Sequence, residues 1–230
     1  MITTEQINQY NLKLADAGLA LKQTAEGLCL TDGELSIMAD FREMLPRLKQ
    51  SNLQREMLVK AARIKGQPMP QTLVDATAGF GEDSLILAAA GFQVQLYEFD
   101  EIIAALLLDC MERAMEISEL KDAVGRMKLV CQDSTVGLRE LDFKPDIVLL
   151  DPMFPARQKS ALIKKKFQLI QRLESPCSTE EELVDAAIAA DPKRIIIKRP
   201  LKGPYLANRK PSYSLEGKAI RYDCFVFARN

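Results

Sequence analysis

The sequence contains no histidine. This excludes the commonest general base, the histidine-centred catalytic triads and most zinc sites. Any chemistry must then run on carboxylates, lysines, backbone groups or a bound cofactor, and no metal site is expected. No run of 18 apolar residues occurs, so no membrane-spanning helix and no membrane partner are expected. The polar start, Met1 to Tyr10, has neither a basic nor an apolar signal region, and no secretory leader is expected. Cysteine is sparse and scattered: Cys29, Cys110, Cys131, Cys177 and Cys224 are odd in number and never spaced as C-x-x-C. They read as reduced, partly buried thiols of a cytoplasmic protein. Internal repeats and low-complexity tracts are also lacking.

What is present suits one medium domain with a small extension: 230 residues, 47% of them hydrophobic. The formal net charge of −1 hides a division. Residues 157–230 carry 16 Lys and Arg against 8 Asp and Glu, whereas residues 1–156 carry 15 against 24. Within the acidic half, Arg42 to Lys65 is itself basic, with seven cations against Glu43 and Glu56. Such a split favours a polyanionic partner.

Two regions are expected along the chain. Residues 1–66 form a small α+β extension that is a candidate for contact with the polyanionic partner. It holds a hairpin of Leu28 to Leu30 and Glu34 to Met38 around Thr31-Asp32-Gly33, then a basic amphipathic helix, Leu53 to Ile64. Gly66 to Pro70 is the boundary. Residues 67–230 alternate between the two periodicities. Strands are expected at Thr72 to Ala76, Gln93 to Tyr97, Met127 to Cys131, Asp146 to Leu150 and Arg194 to Lys198. Helices are expected at Asp83 to Ala90, Glu101 to Ile117, Lys159 to Leu173 and Thr179 to Ala190. Tyr213 to Leu215 and Ile220 to Phe227 flank Glu216-Gly217-Lys218 as a closing hairpin. The pattern predicts a doubly wound α/β fold, a mostly parallel sheet with an antiparallel C-terminal hairpin.

Ligands of such sheets bind at the carboxyl ends of the strands. The first of these strands carries Asp75 and runs into Thr77-Ala78-Gly79-Phe80-Gly81-Glu82-Asp83, where Gly79 and Gly81 allow a tight turn and close backbone approach. Glu98 ends the next strand, placed to take both hydroxyls of a ribose. Ser84 stands where a dinucleotide fingerprint would have its third glycine, so a cofactor without phosphates is expected, as in folds that bind S-adenosylmethionine. Asp133, past the third strand, is placed to contact an adenine; an ordinary N-cap is its plainer role.

The fourth strand ends in Asp151-Pro152-Met153-Phe154-Pro155, a rigid loop with an acid beside a flat ring. An exocyclic base nitrogen is a poor nucleophile because its lone pair is delocalised into the ring. The Asp151 carboxylate and the Pro152 carbonyl can accept its two hydrogens and aim the lone pair, while Phe154 stacks on an extruded base. Met153 departs from the double-proline form of amino-methylating loops. Basic groups follow strand ends here: Arg157, Lys159, Lys164, Lys165 and Lys166 after the fourth strand, Lys198 and Arg199 at the fifth. They are candidates to grip the phosphates flanking a target base.

Together Asp75 to Asp83, the segment from Leu150 through Asp151 and Lys159 to Leu162, and Ile195 to Pro200 with the later Leu206-Ala207-Asn208 resemble the RsmJ family of 16S ribosomal RNA guanine-N2 methyltransferases, from about Val59 onward. The resemblance implies a class I, Rossmann-like methyltransferase fold, S-adenosylmethionine as cofactor, and 16S ribosomal RNA or the small ribosomal subunit as partner. It implies cofactor contacts at Glu82, Asp83, Glu98, Phe99, Asp133, Ser134 and Asp151. Glu82, Phe99 and Asp133 differ from several members, which have Arg, Arg and Ser there. Residues 1–50 match only loosely. The residues by themselves leave other readings open: amino-methylation of adenine or of a protein amide, a nicotinamide-dependent oxidoreductase, or a catalytically silent RNA-binding module.

Overall fold

The structure is a computed structural model that describes residues 2–152, 169, 173 and 179–227. Phe154, Arg157, Lys159, Lys164, Lys165 and Lys166, and the helix expected over Lys159 to Leu173 apart from Leu169 and Leu173, lie outside the described residues.

The N-terminal part begins with α1 (Thr4–Leu14), closed at its start by a Thr3/Gln6 capping box. An antiparallel sheet follows: β1 (Ala20–Gln23), β2 (Leu28–Thr31) and β3 (Ser36–Ile37), in the order β1-β2-β3. The expected hairpin is β2–β3, turned by Asp32, whose Oδ1 accepts from the Glu34 and Leu35 amides. The expected helix over Leu53 to Ile64 is broken. Short helices α2 (Leu45–Leu48) and α3 (Gln50–Leu53) precede α4 (Met57–Ala62), and Glu56 between α3 and α4 is extended at ψ 124°. No helix breaker stands there. The break is tertiary: it turns Glu56 onto Arg47 in a two-pronged ion pair and buries both Leu53 and Leu58.

The second part holds β4 (Thr72–Asp75), α5 (Glu82–Ala89), β5 (Gln93–Glu98), α6 (Glu101–Met115), α7 (Ser118–Val124), β6 (Met127–Cys131), α8 (Ser134–Gly137), β7 (Ile147–Leu150), α9 (Glu180–Ala189), β8 (Arg194–Pro200), β9 (Tyr213–Glu216) and β10 (Ile220–Val226). Its seven-stranded sheet has the order β6-β5-β4-β7-β8-β10-β9. All neighbours are parallel except β10, which runs antiparallel to both β8 and β9. This is the expected Rossmann-like architecture with its antiparallel edge. The single long helix expected to Ile117 ends at Met115, and α7 follows as a separate turn of chain.

Period-2 alternation explains the layers. Every residue of β7 is buried. Ile147 and Leu149 face the cluster built with α4, α5, α6 and α7, whereas Val148 and Leu150 face the cluster built with α9. Phe41, Met44, Leu53 and Leu58 share the first cluster with Leu85 and Leu107, so the segment preceding Gly66 is part of the main core. The α1 and β1–β3 residues Leu14, Leu21, Leu28 and Leu30 pack on Ile102, Ile103 and Leu106 of α6, together with Leu169.

Candidate active site

The strand order reverses between β4 and β7, and this switch point is where a doubly wound sheet opens a ligand crevice. Asp75 ends β4 with 2% exposure. Its Oδ1 accepts from the Thr77 amide at 3.1 Å and its Oδ2 from the Ser84 hydroxyl at 2.7 Å. Burial pushes the carboxyl up to about 6 against these two stabilising bonds. The turn then rises through Gly79 (φ 54°) and Gly81 (φ 72°). A side chain at Gly81 would meet Leu107 at 2.8 Å, whereas one at Gly79 would project into open space. The backbone at Gly79 is therefore exposed to whatever fills the crevice.

Glu98 ends β5 and bridges back to that turn. Its Oε2 accepts from the Gly79 amide at 2.8 Å and its Oε1 from the Asp100 amide at 2.9 Å. Burial raises its carboxyl to about 7. Phe99 beside it is 51% exposed. Asp133 follows β6, and its Oδ1 caps α8 by accepting from the Thr135 amide and hydroxyl, both at 2.8 Å. Ser134 next to it is buried. Glu82 is exposed on the first turn of α5 and Asp83 half-buried behind it.

Asp151 follows β7. Its backbone amide donates to the Thr77 hydroxyl at 2.6 Å, tying the catalytic-loop candidate to the β4 turn. Lys198 of β8 sits between two carboxylates, 2.6 Å from Asp83 Oδ2 and 2.8 Å from Asp151 Oδ2. Burial alone would weaken the ammonium's hold on its proton, but the charges of Asp83 and Asp151 outweigh it and keep Lys198 firmly protonated. Burial pushes the Asp151 carboxyl upward, and Lys198 opposes that rise.

The expectation that Lys198 and Arg199 face RNA phosphates fails on geometry. Lys198 is engaged by the two carboxylates, and Arg199 is 2% exposed, its Nε donating to the Pro204 carbonyl at 3.0 Å. A strand end lies within the sheet's own packing, so basic residues there serve the fold first. Thr77 and Ser84 were not anticipated as site residues. Ser84 could have been suspected, since it occupies the place of a third glycine. Instead of leaving room for a pyrophosphate, it fills that room with a hydroxyl bound to Asp75.

The donor set selects a ligand class. A helix N-terminus attracts anions, but α5 opens on Glu82 and Asp83, which repel them. Asp75, Asp83, Glu98 and Asp151 together favour a ligand with positive charge and hydroxyls, and without phosphates. S-adenosylmethionine has this character; Gly79 and Glu98 lie at the turn beside the crevice, while buried Asp75 braces that turn through Thr77 and Ser84. Among the described residues, no group of three or more acids or cysteines is arranged for a metal ion. None of their helices is long and apolar enough to cross a membrane.

Comparison with known proteins agrees with the fold and with S-adenosylmethionine as the cofactor. The SAM-dependent methyltransferase family matches residues 2–227. The chain is 40% identical to the ribosomal RNA small subunit methyltransferase J of Thioalkalivibrio sulfidiphilus, over 95% of this chain and 90% of that one. It is 37% identical to the protein of the same name from Cellvibrio japonicus, over 95% and 83%. The crystal structure of a SAM-dependent methyltransferase from Neisseria gonorrhoeae superimposes with a TM-score of 0.74 at 30% identity, covering 91% of this chain and 83% of that one. The chain belongs to the ribosomal RNA small subunit methyltransferase J family and is an S-adenosylmethionine-dependent methyltransferase.

Proposed function

We propose that this enzyme methylates the exocyclic N2 amino group of a guanine in small-subunit (16S) ribosomal RNA, free or within the small subunit. The observation that carries the reading is Asp151, set at the end of β7 beside the acidic switch point with its backbone pinned by Thr77 and its Oδ2 by Lys198. S-adenosylmethionine, when bound, supplies a methyl group activated on a sulfonium. The chain's own part is binding and aiming. The Glu98 carboxylate receives ribose hydroxyls, and the Asp75, Asp83 and Asp151 charges suit a cationic ligand. Asp151 Oδ1 and the Pro152 carbonyl accept the two amino hydrogens, orienting the nitrogen lone pair for in-line attack. As the N–C bond forms and the methyl's bond to sulfur breaks, leaving a neutral thioether, positive charge builds on that nitrogen, and the Asp151 carboxylate stabilises it and takes the surplus proton. Phe154, two residues past Pro152, is assigned to stack on the target base.

The RNA grip is assigned to two basic stretches of the chain. One is the sequence Arg157, Lys159, Lys164, Lys165 and Lys166. The other lies in the N-terminal part. Within Arg42 to Lys65, Arg42 pairs with Asp40 and Arg47 with Glu56. Lys49, Arg55, Lys60, Arg63 and Lys65 are exposed and have no ion-pair partner among the described residues. Unneutralised cations on one stretch of surface are what a phosphate backbone requires.

The test is transfer of labelled methyl groups to RNA from cells lacking this protein, followed by nuclease digestion and mass mapping. One N2-methylguanine in the small-subunit RNA is expected. Label on adenine, DNA or protein, with none on that RNA, would overturn the proposal.

A further inference from the structure

The buried lysine at the site has no part in the scheme above beyond its contact with Asp151, yet its placement is specific. β7 and β8 are parallel, with Leu150 registered against Ile197. Both of these side chains face the α9 cluster. The next residues, Asp151 and Lys198, therefore point to the opposite face, toward the first turn of α5 and Asp83. One ammonium ends up between two carboxylates from different elements.

We infer that Lys198 is a positioning residue that divides its ammonium between Asp83 and Asp151, clamping Asp151 Oδ2 so that Oδ1 alone faces the substrate amine. A carboxylate free to rotate would present either oxygen in many orientations. Asp151 is instead held at both ends, by Thr77 at its amide and by Lys198 at its side chain. Lys198 also keeps Asp151 ionised. A half-buried carboxyl beside Asp83 would tend to hold a proton, and a protonated Asp151 presents a donor to an amine that needs an acceptor. Asp83 sets how strongly: as the second claimant on the ammonium, it leaves Asp151 enough basicity to take a proton when the methyl transfers. The charged and titratable groups around Asp151 among the described residues are Asp75 on β4, Asp83 on α5, Lys198 and Arg199 on β8, and Tyr222, registered against Lys198 on β10.

The inference rests on Asp151 being the amine acceptor, but its primary test does not. The ¹³C-carboxyl resonance of Asp151, assigned by its loss in Asp151→Asn, is titrated in the full-length protein. Lys198→Met should raise the Asp151 midpoint by about 1–3 pH units, because a cation within contact distance is lost. Asp83→Asn should lower it, because a like charge is removed and the ammonium turns wholly to Asp151. Lys198→Arg should stay near wild type. The acid limb of kcat should move in the same directions, with KM for RNA little changed. A purely structural role gives no such opposite shifts. Unmoved midpoints in folded Lys198→Met and Asp83→Asn overturn the inference; should Lys198→Met fail to fold, absence of a downward shift in Asp83→Asn is enough. A wild type that methylates no guanine overturns the catalytic reading, while the titration still decides the ion-pair assignment.

Discussion

Acidification from pH 8 to pH 6 should weaken adenosylhomocysteine binding about tenfold, and Glu98 is the reason. Its carboxyl is lifted to about 7 by burial, against two backbone bonds that favour the charged form. With a midpoint there, about nine-tenths of the groups are ionised at pH 8 and about one-tenth at pH 6. Ribose hydroxyls need the anion as acceptor, so the fall follows the ionised fraction and approaches one decade per pH unit, or about 1.4 kcal/mol. Linkage gives a second consequence. A carboxyl whose folded value lies above its unfolded one contributes stability that is present below about pH 4 and lost as pH rises through 7. The loss is at most about 3 kcal/mol for a shift of this size. Ligand at 100 times its dissociation constant restores about 2.7 kcal/mol. Apo protein should therefore soften between pH 5 and pH 8 while the liganded protein does not. The assay is isothermal titration calorimetry with adenosylhomocysteine across that range, with parallel thermal melts. Glu98→Gln should bind more weakly and lose the pH slope. A pH-independent affinity in the wild type, or the same slope in Glu98→Gln, would refute the reasoning.

Gly81→Ala should destabilise by about 1–3 kcal/mol, seen as a lower midpoint in urea, since φ is 72° and the new methyl meets Leu107 at 2.8 Å. Arg221→Met should cost about 3–5 kcal/mol, a fall on the order of 10 °C in Tm by calorimetry. It leaves buried Asp223 without its ion pair and the Pro200, Leu201 and Gly203 carbonyls without their shared donor. Reversing charge at Lys60, Arg63 and Lys65 should weaken RNA binding and flatten its salt dependence, by filter binding at several salt concentrations, with adenosylhomocysteine affinity unchanged. The same treatment of Lys164, Lys165 and Lys166 should act alike; unaltered salt slopes would reduce either cluster to solvated surface.

The parallel strands were legible in the sequence because burial on both faces leaves a near-continuous apolar run, as in Ile147 to Leu150. The meeting of the Gly79–Gly81 turn with Glu98 was legible because neighbouring parallel strands bring the turn after one beside the end of the next. What lay beyond the sequence was tertiary. Nothing near Glu56 announces a helix break; in the fold it comes with a contact to Arg47, nine residues away, and with burial of Leu53 and Leu58 on either side. Basic residues at a strand end read as phosphate grips. Register alone decides that Lys198 meets Asp83, 115 residues distant, and that Arg199 turns inward. Thr77 escaped notice for the same reason: its role is to receive the Asp151 amide across the sheet.

The most direct measurement is single-turnover methyl transfer by Asp151→Asn, with cofactor and RNA saturating and cofactor binding followed alongside. The asparagine keeps the shape and one acceptor oxygen but adds a donor that opposes the amino hydrogens. Loss of a preorganised transition-state contact predicts a rate about 10²–10³ lower, roughly 3–4 kcal/mol, in a folded protein. Near-wild-type turnover in that variant would contradict the assignment of the chemistry to the end of β7.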